Sequence, residues 1–350
     1  MEELKKYYIV LSGEHRTLPI SELRSIALTE GLSYRELANL DMVVLSESSD
    51  KLTTYVARAA LTKVLGEVIT LSESDDNLLN IVRNVDWDNT LLGVDTYTVD
   101  LIRIKEYSKW ISYESIIDLI KPLIPKKFVP LSKAFKSVKQ PTIIDFILTD
   151  GLLIVGKRHY EREFSTFSSK DPKNRPAYRP GTMKSVMSRV LVNLSRVSVK
   201  RGETYLDPFC GVGGLLIEAC AIGLKYVGSD IDRKCVEGAK NNLIHFNCIP
   251  SVIAADACNL PYRSVDGVGT DPPYGRLSRG KGRESIQELM ECTINCLADI
   301  IKKGGYLALA QSKEIALEDV LDSAGFELVE KHYNWLHRSL VRNIYVAVRR

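Results

Sequence analysis

The sequence has no Cys-x-x-Cys pair, no ligand-spaced group of histidines and no apolar run near the ~18 residues that span a membrane. Seven cysteines (210, 220, 235, 248, 258, 292, 296) all fall in the C-terminal half. Their odd number and lack of paired spacing argue against a zinc site and against a disulfide framework, which leaves reduced packing thiols as the expectation. The five histidines (15, 159, 245, 332, 337) likewise give no reason to expect a metal. With no spanning segment, the chain reads as cytosolic and free of membrane. Charge is nearly balanced, at +3 over 350 residues, so any affinity for a polyanion must come from local patches.

Two such patches are present. Residues 121–139 hold six lysines and no acid, and residues 157–201 hold twelve Lys or Arg against three acids. Either could be a solvated loop; together with four cations in "RLSRGKGR" they favour a nucleic-acid partner. The 350 residues suggest two or three domains. From about residue 203 short apolar strands ("ETYLD", "YVGSD", "SVIAA", "DGVGT", "GYLALA") alternate with helical periodicity, and the chain ends in two strands with a short link, "FELVEKHYNW" and "RNIYVAVRR". This predicts an α/β doubly wound Rossmann-like sheet closed by an antiparallel hairpin. Residues 1–157 follow another pattern: strand-like "YYIVLSG", "DMVVLS", "YTVDLIRI" and "GLLIVGK" with helical "PISELRSIALTEG" and "KLTTYVARAALTKVLG". That predicts an α+β module lacking a glycine-rich strand-to-helix turn. The expected organisation is a binding module at 1–157, a basic linker at 158–177 and a catalytic domain at 178–350.

The chemistry concentrates at strand ends. "LDPFCGVGGLLIEAC" follows a strand and opens a helix, where Gly211, Gly213 and Gly214 allow a sharp turn and close approach of a ligand. The dinucleotide fingerprint needs Gly or Ala where Leu216 stands, which disfavours a nicotinamide enzyme. Asp207 suits a cofactor with an ammonium to pair, and S-adenosylmethionine carries one. Asp230 ends the next strand, where an acid accepts ribose hydroxyls, whereas Asp232 is placed to cap the following helix. Asp256 follows the third strand and is offered to an adenine amino group, an assignment that rests on its place in the series. Phe209, Ile231 and Ala257 complete the candidate cofactor residues. After the fourth strand comes "TDPPYGR": two prolines make a rigid elbow whose Asp271 carboxylate and Pro272 carbonyl face outward, with Tyr274 able to stack on something flat. Asp271 borders both the cofactor and the acceptor. "NWLHRSL" near the C-terminus, with His332 and His337 beside Trp335, either shapes a base pocket or packs.

Asp271-Pro272-Pro273-Tyr274 resembles the [Asn/Asp]-Pro-Pro-[Tyr/Phe] signature of methyltransferases acting on exocyclic amino groups of bases or on amide nitrogens. With "RPAYRPGTMKSVMSRVLVNLSRV" and "HRSLVRNIYV", the chain resembles the archaeal tRNA guanosine N2-methyltransferases that modify position 10. The resemblance is specific from Pro176 onward and architectural before Lys157. It implies a ferredoxin-like region and a THUMP domain in residues 1–157, S-adenosylmethionine as cofactor and tRNA as partner. Asp271, Pro272 and Tyr274 would then be catalytic; the basic runs and the loop after Tyr274, not the resemblance, offer Lys133, Lys136, Arg179, Arg276 and Arg279 to the RNA. It leaves open one or two methyl additions, the oligomeric state and a small activating protein subunit of the kind eukaryotic relatives use. Two alternatives remain: another amino-group methyltransferase, acting on DNA adenine N6 or protein glutamine, and a noncatalytic RNA-binding protein that has kept the fold.

Overall fold

Clusters of β-branched and aromatic residues favour pleated, half-buried backbone. They become the strands of the computed structural model, which describes residues 4–73, 78–134, 140–163, 165–273, 285–337 and 340–350. The chain divides into two compact units: Met1–Glu14, Leu32–Ala57 and Thr62–Arg162 form the first, and His15–Gly31, Arg58–Leu61 and Glu163–Arg350 the second.

In the first unit, β1 (Lys5–Leu11), β2 (Arg35–Leu40), β3 (Val43–Ser48), β4 (Thr62–Glu73), β5 (Thr96–Arg103), β6 (Lys127–Phe128), β7 (Thr142–Thr149) and β8 (Leu152–Glu161) make one sheet in the order β2-β3-β1-β4-β8-β7-β5-β6. β5 lies parallel to β6 and β7, while β4 runs antiparallel to β1 and β8. The helix expected over "KLTTYVARAALTKVLG" is confined to Thr53–Val56. Beyond it Thr62, Val64, Val68, Ile69 and Thr70 form a strand, because pairing on both sides satisfies the backbone and β-branched side chains fit there. Asp145, fully buried in β7, accepts hydrogen bonds from the Tyr8 hydroxyl and from Arg158 Nε at 3.0 Å.

The second unit is a doubly wound sheet. β9 (Thr204–Asp207), β10 (Lys225–Asp230), β11 (Val252–Ala254), β12 (Val265–Thr270), β13 (Ile301–Ser312), β14 (Phe326–His337) and β15 (Leu340–Arg349) are ordered β11-β10-β9-β12-β13-β15-β14. The first five are parallel; β15 is antiparallel to β13, and β14 to β15. The Ser185–Leu194, Gly214–Ala221 and Arg233–His245 helices build a core on one face, and Ile286–Ile300 with Glu318–Ser323 builds one on the other. Such a sheet brings the ends of β9, β10 and β12 together at its switch point.

Two segments from early in the chain belong here. The Leu18–Glu30 helix buries Glu22, which accepts the Ala60 and Leu61 N–H groups at 2.9 and 2.8 Å and Asn193 Nδ2 at 2.7 Å. Arg58 pairs with Glu30 and donates from Nε to Asn193 at 3.0 Å. Ser21 and Arg196 engage Glu330 on β14, and Thr17 Oγ1 lies 2.8 Å from His332 Nδ1. Partial burial alone would raise the Glu330 carboxyl, but His332, Ser21 and Arg196 hold it down at about 2. His332 is therefore a packing residue, 5 % exposed.

The cysteines depart from expectation. Cys220 is bridged to Cys248 and Cys258 to Cys292, with Cα separations of 6.1 and 5.1 Å, while Cys210, Cys235 and Cys296 are free. The bridged partners lie 28 and 34 positions apart on different connections, so only the fold brings them within disulfide range.

Candidate active site

β9 ends at Asp207 and the chain turns through Pro208–Gly213 into the Gly214–Ala221 helix. Gly213 takes φ +84°, and a Cβ there would stand 3.3 Å from that of Ala239. Asp207 is 1 % exposed and sits behind the turn. Its Oδ1 accepts Thr270 Oγ1 at 2.7 Å and the Phe209 N–H at 3.1 Å, while Oδ2 has no partner among the described residues. Burial, with the nearby Asp271 and Asp230 charges, pushes this carboxyl up to about 7. A buried carboxylate favours an ammonium nearby through its charge.

β10 delivers Asp230, whose Oδ2 accepts the Gly211 N–H and whose Oδ1 accepts the Asp232 N–H, both at 2.9 Å; burial raises its pKa. Asp232 caps the Arg233–His245 helix through the Lys234 N–H at 2.9 Å, as its position in the sequence suggests. Asp256 and Ala257 follow β11, and Asp271, Pro272 and Pro273 follow β12.

These strand ends surround a cavity of about 450 Å³, within the range of ligand sites. Phe209, Gly211, Asp230, Ile231, Asp256, Ala257, Asp271 and Pro272 are all on its wall. Asp207 and Gly213 are not; they support it from behind. The acid at the end of β10 and the glycine turn against the helix N-terminus match the needs of a nucleoside cofactor that carries an amino acid, with the buried Asp207 carboxyl lying behind that turn.

Part of the wall was not anticipated. Pro180, Gly181, Thr182, Met183 and Ser188 line the cavity ahead of β9, and the buried Ser188 hydroxyl has no partner among the described residues. The available signal was Pro-Gly-Thr just before a helix. Arg342 on β15 was also missed: its Nη2 lies 3.8 Å from Asp271 Oδ2, with side chains only 6 % and 14 % exposed. A lone arginine opening the apolar run of β15 was the clue.

Among the residues expected to hold substrate, Arg179 lies on the cavity wall, 3.9 Å from Asp232 Oδ2, and Lys133 is exposed in the Leu131–Ala134 helix of the first unit. Tyr274, Arg276, Arg279 and Lys136 lie outside the described residues. The basic stretch 157–201 is not the continuous patch its composition suggests. Lys170 and Arg189 pair with the buried Glu218 at 3.2 and 2.7 Å, Arg196 with Glu330 at 2.8 Å and Arg158 with Asp145 and Asp100; Arg175 is 5 % exposed. Lys173, Arg179 and Lys184 remain exposed before the Ser185–Leu194 helix.

Comparison with known proteins agrees with this geometry. Residues 172–344 match the family described as RMKL-like, methyltransferase domain. The tRNA (guanine(10)-N2)-dimethyltransferase of Methanothermobacter thermautotrophicus is 32 % identical over 350 residues, covering 97 % of this chain and 98 % of that protein. The chain belongs to the tRNA (guanine(10)-N2)-dimethyltransferase family. The member from Methanocaldococcus jannaschii is 28 % identical over 96 % of this chain and 98 % of its own. Human tRNA (guanine(10)-N(2))-methyltransferase TRMT11 is 24 % identical over 78 % of this chain and 66 % of its own. TrmN from Thermus thermophilus shares the fold, with a TM-score of 0.56 at 16 % identity over 99 % of this chain and all of that one.

Proposed function

We propose that this chain methylates the exocyclic N2 of guanosine 10 in tRNA, adding two methyl groups in turn, with S-adenosylmethionine as donor. The carrying observation is that the Asp271-Pro272-Pro273 elbow opens on the same cavity as Asp230 and Asp256, so one pocket offers acceptors both to a nucleoside and to an amine. S-adenosylmethionine, when bound, supplies an electrophilic methyl group. Asp230 is assigned to the ribose hydroxyls and Asp256 to the adenine amino group, while Asp207, behind the wall, acts on the ammonium through its charge rather than by contact.

The guanine amine is conjugated with its ring and nucleophilic only once the nitrogen pyramidalises. Acceptors aimed at its two N–H bonds favour that geometry as charge develops. The Asp271 carboxylate and the Pro272 carbonyl serve here, and the fixed φ of proline holds the carbonyl in place. Arg342, 3.8 Å from Asp271, orients that carboxylate and balances its charge. No strong base is needed: the alkylated nitrogen is itself acidic and gives up its proton to Asp271 or to water. Alignment of the amine supplies the rest of the acceleration. The target base must first leave its helix, and Tyr274 is assigned to stack on it.

We assign the first unit, as a THUMP-type module with its exposed Lys121, Lys127 and Lys133, to grip the tRNA, and residues from about 178 onward to the chemistry. The experiment is nucleoside mass spectrometry of tRNA after incubation with enzyme and cofactor. N2,N2-dimethylguanosine at position 10 is the expected product; methylation of adenine, or none in any tRNA pool, would defeat the assignment.

A further inference from the structure

Tyr333 and Trp335 are 70 % and 68 % exposed, unusually open for aromatic rings of this size. They lie two residues apart on β14, interleaved with the buried His332 and Asn334, so both rings stand on one face of the strand. Because β14 is antiparallel to β15 and β15 to β13, β14 runs with the parallel strands, and its end lies at the same edge of the sheet as the elbow. The register is specific. Trp335 pairs with Val341 near the start of β15, whereas Asn334 and its partner Arg342, whose guanidinium reaches Asp271, face the other side of the sheet, so the rings flank the elbow across the sheet edge. Three strand spacings separate β14 from β12, roughly 15 Å in all. A nucleic-acid strand crosses that distance in a few nucleotides.

One cation lies over a ring and another is exposed at the same end of the sheet. Lys331 Nζ stands 5.8 Å over the Tyr333 ring and also pairs with Glu318 at 2.5 Å. The exposed Lys313 donates its backbone N–H to the carbonyl of Val341, the register partner of Trp335, at 3.1 Å. With Lys331 balanced by Glu318, the exposed Lys313 is the charge left over, and open ring faces at the edge of the sheet that carries the elbow suit the bases of a strand entering it.

We propose that Tyr333 and Trp335 form a stacking shelf for bases of the tRNA that lie beside the target nucleotide, an inference that rests on the tRNA reading above. Extruding a base leaves its neighbours partly unstacked, and rings a few nucleotides away recover that stacking where the elbow needs the strand held still. The shelf thereby selects RNA whose bases near the target are open to one side, which a continuous duplex does not offer.

The test uses full-length Trp335→Ala, Trp335→Phe and Tyr333→Ala. The alanine variants are expected to raise Kd and KM for tRNA by about ten-fold or more. Binding of S-adenosylhomocysteine, measured by calorimetry, stays unchanged, and so does the slope of log affinity against log salt, because no phosphate contact is lost. Trp335→Phe recovers most of the affinity but loses the part of the tryptophan emission that tRNA quenches in the parent. Wild-type protein that methylates tRNA alongside a Trp335→Ala variant with unaltered tRNA Kd and KM would overturn the shelf and leave the activity standing. Wild-type protein that neither binds nor methylates tRNA would overturn the reading beneath it. If Trp335→Ala abolishes self-association in sedimentation and tRNA affinity is untouched, the rings belong to a second copy of the chain and the shelf is wrong.

Discussion

Residues 121–133 and 157–196 look alike in composition and fold to opposite ends. In the first, Lys121, Lys127 and Lys133 remain at the surface. In the second, Arg158, Lys170, Arg189 and Arg196 turn inward onto Asp145, Glu218 and Glu330. The acids that claim them are 13 positions away for Arg158, 48 for Lys170 and 134 for Arg196, so a local count of charge never meets them. A basic stretch is a candidate interface only after its internal partners have been subtracted.

The largest test of this contrast is Glu218→Ala, which leaves Lys170 and Arg189 buried without their carboxylate. A loss of about 3–5 kcal/mol is expected, read as a fall in Tm. If the variant instead kept its Tm and altered the salt dependence of tRNA binding, the inward cations would be RNA contacts and the contrast would fail.

Asp271→Ala is expected to lower kcat by about 10²–10³ with tRNA affinity retained, because the lost acceptor acts mainly as the amine pyramidalises. Arg342→Gln should lower kcat less and leave cofactor binding intact. In the double variant the two effects should not add, since both act through one carboxylate.

Asp207 sharpens the comparison from the other side, as a buried acid with no cation paired to it among the described residues. Its carboxyl is held up to about 7, so the stabilisation it gives the ligand-free fold is present at low pH and is lost as pH rises through about 7. An ammonium-bearing ligand takes the ionised form. Affinity for S-adenosylhomocysteine should therefore climb about tenfold per pH unit up to about pH 7 and level off above it, and Asp207→Asn should flatten that curve. The smallest effect belongs to the exposed lysines: Lys121→Gln and Lys133→Gln should each weaken tRNA binding a few-fold and reduce the salt slope by about 1, without changing Tm.

The second sheet was legible in the sequence because parallel strands are buried on both faces and read as short apolar runs, with the ligand groups at their ends. Asp230, Asp256 and the Asp271-Pro272 elbow could be found one strand at a time. Arg342, Thr182 and Ser188 left only faint marks, a lone arginine in an apolar strand and a Pro-Gly-Thr before a helix, because what brings them to the site is the packing of distant segments. The start of β4, "TKVLG", reads as the end of a helix because its lysine and leucine are good helix formers that continue the stretch before it, until tertiary pairing overrides that propensity. The place of the Leu18–Glu30 helix in the second unit rests on Glu22, Asn193 and Glu330, residues that no local window contains together.

That helix imposes an order on biosynthesis. Its partners Glu330 and His332 lie 309 and 315 positions from Ser21 and Thr17. At ribosomal rates of roughly 5–20 residues per second, the helix must wait on the order of 15–60 s for the strand that receives it. Throughout that interval Leu18, Leu23 and Ile26, buried at maturity, have no finished surface to cover them. The closing contacts join nearly opposite ends of the chain, so completing the helix's docking is a step that synthesis delays to its end, although Ala60, Leu61 and Asn193 can engage it earlier. A clone that begins at the second unit's continuous stretch, residue 163, would omit that step and should yield a protein that aggregates rather than a smaller enzyme.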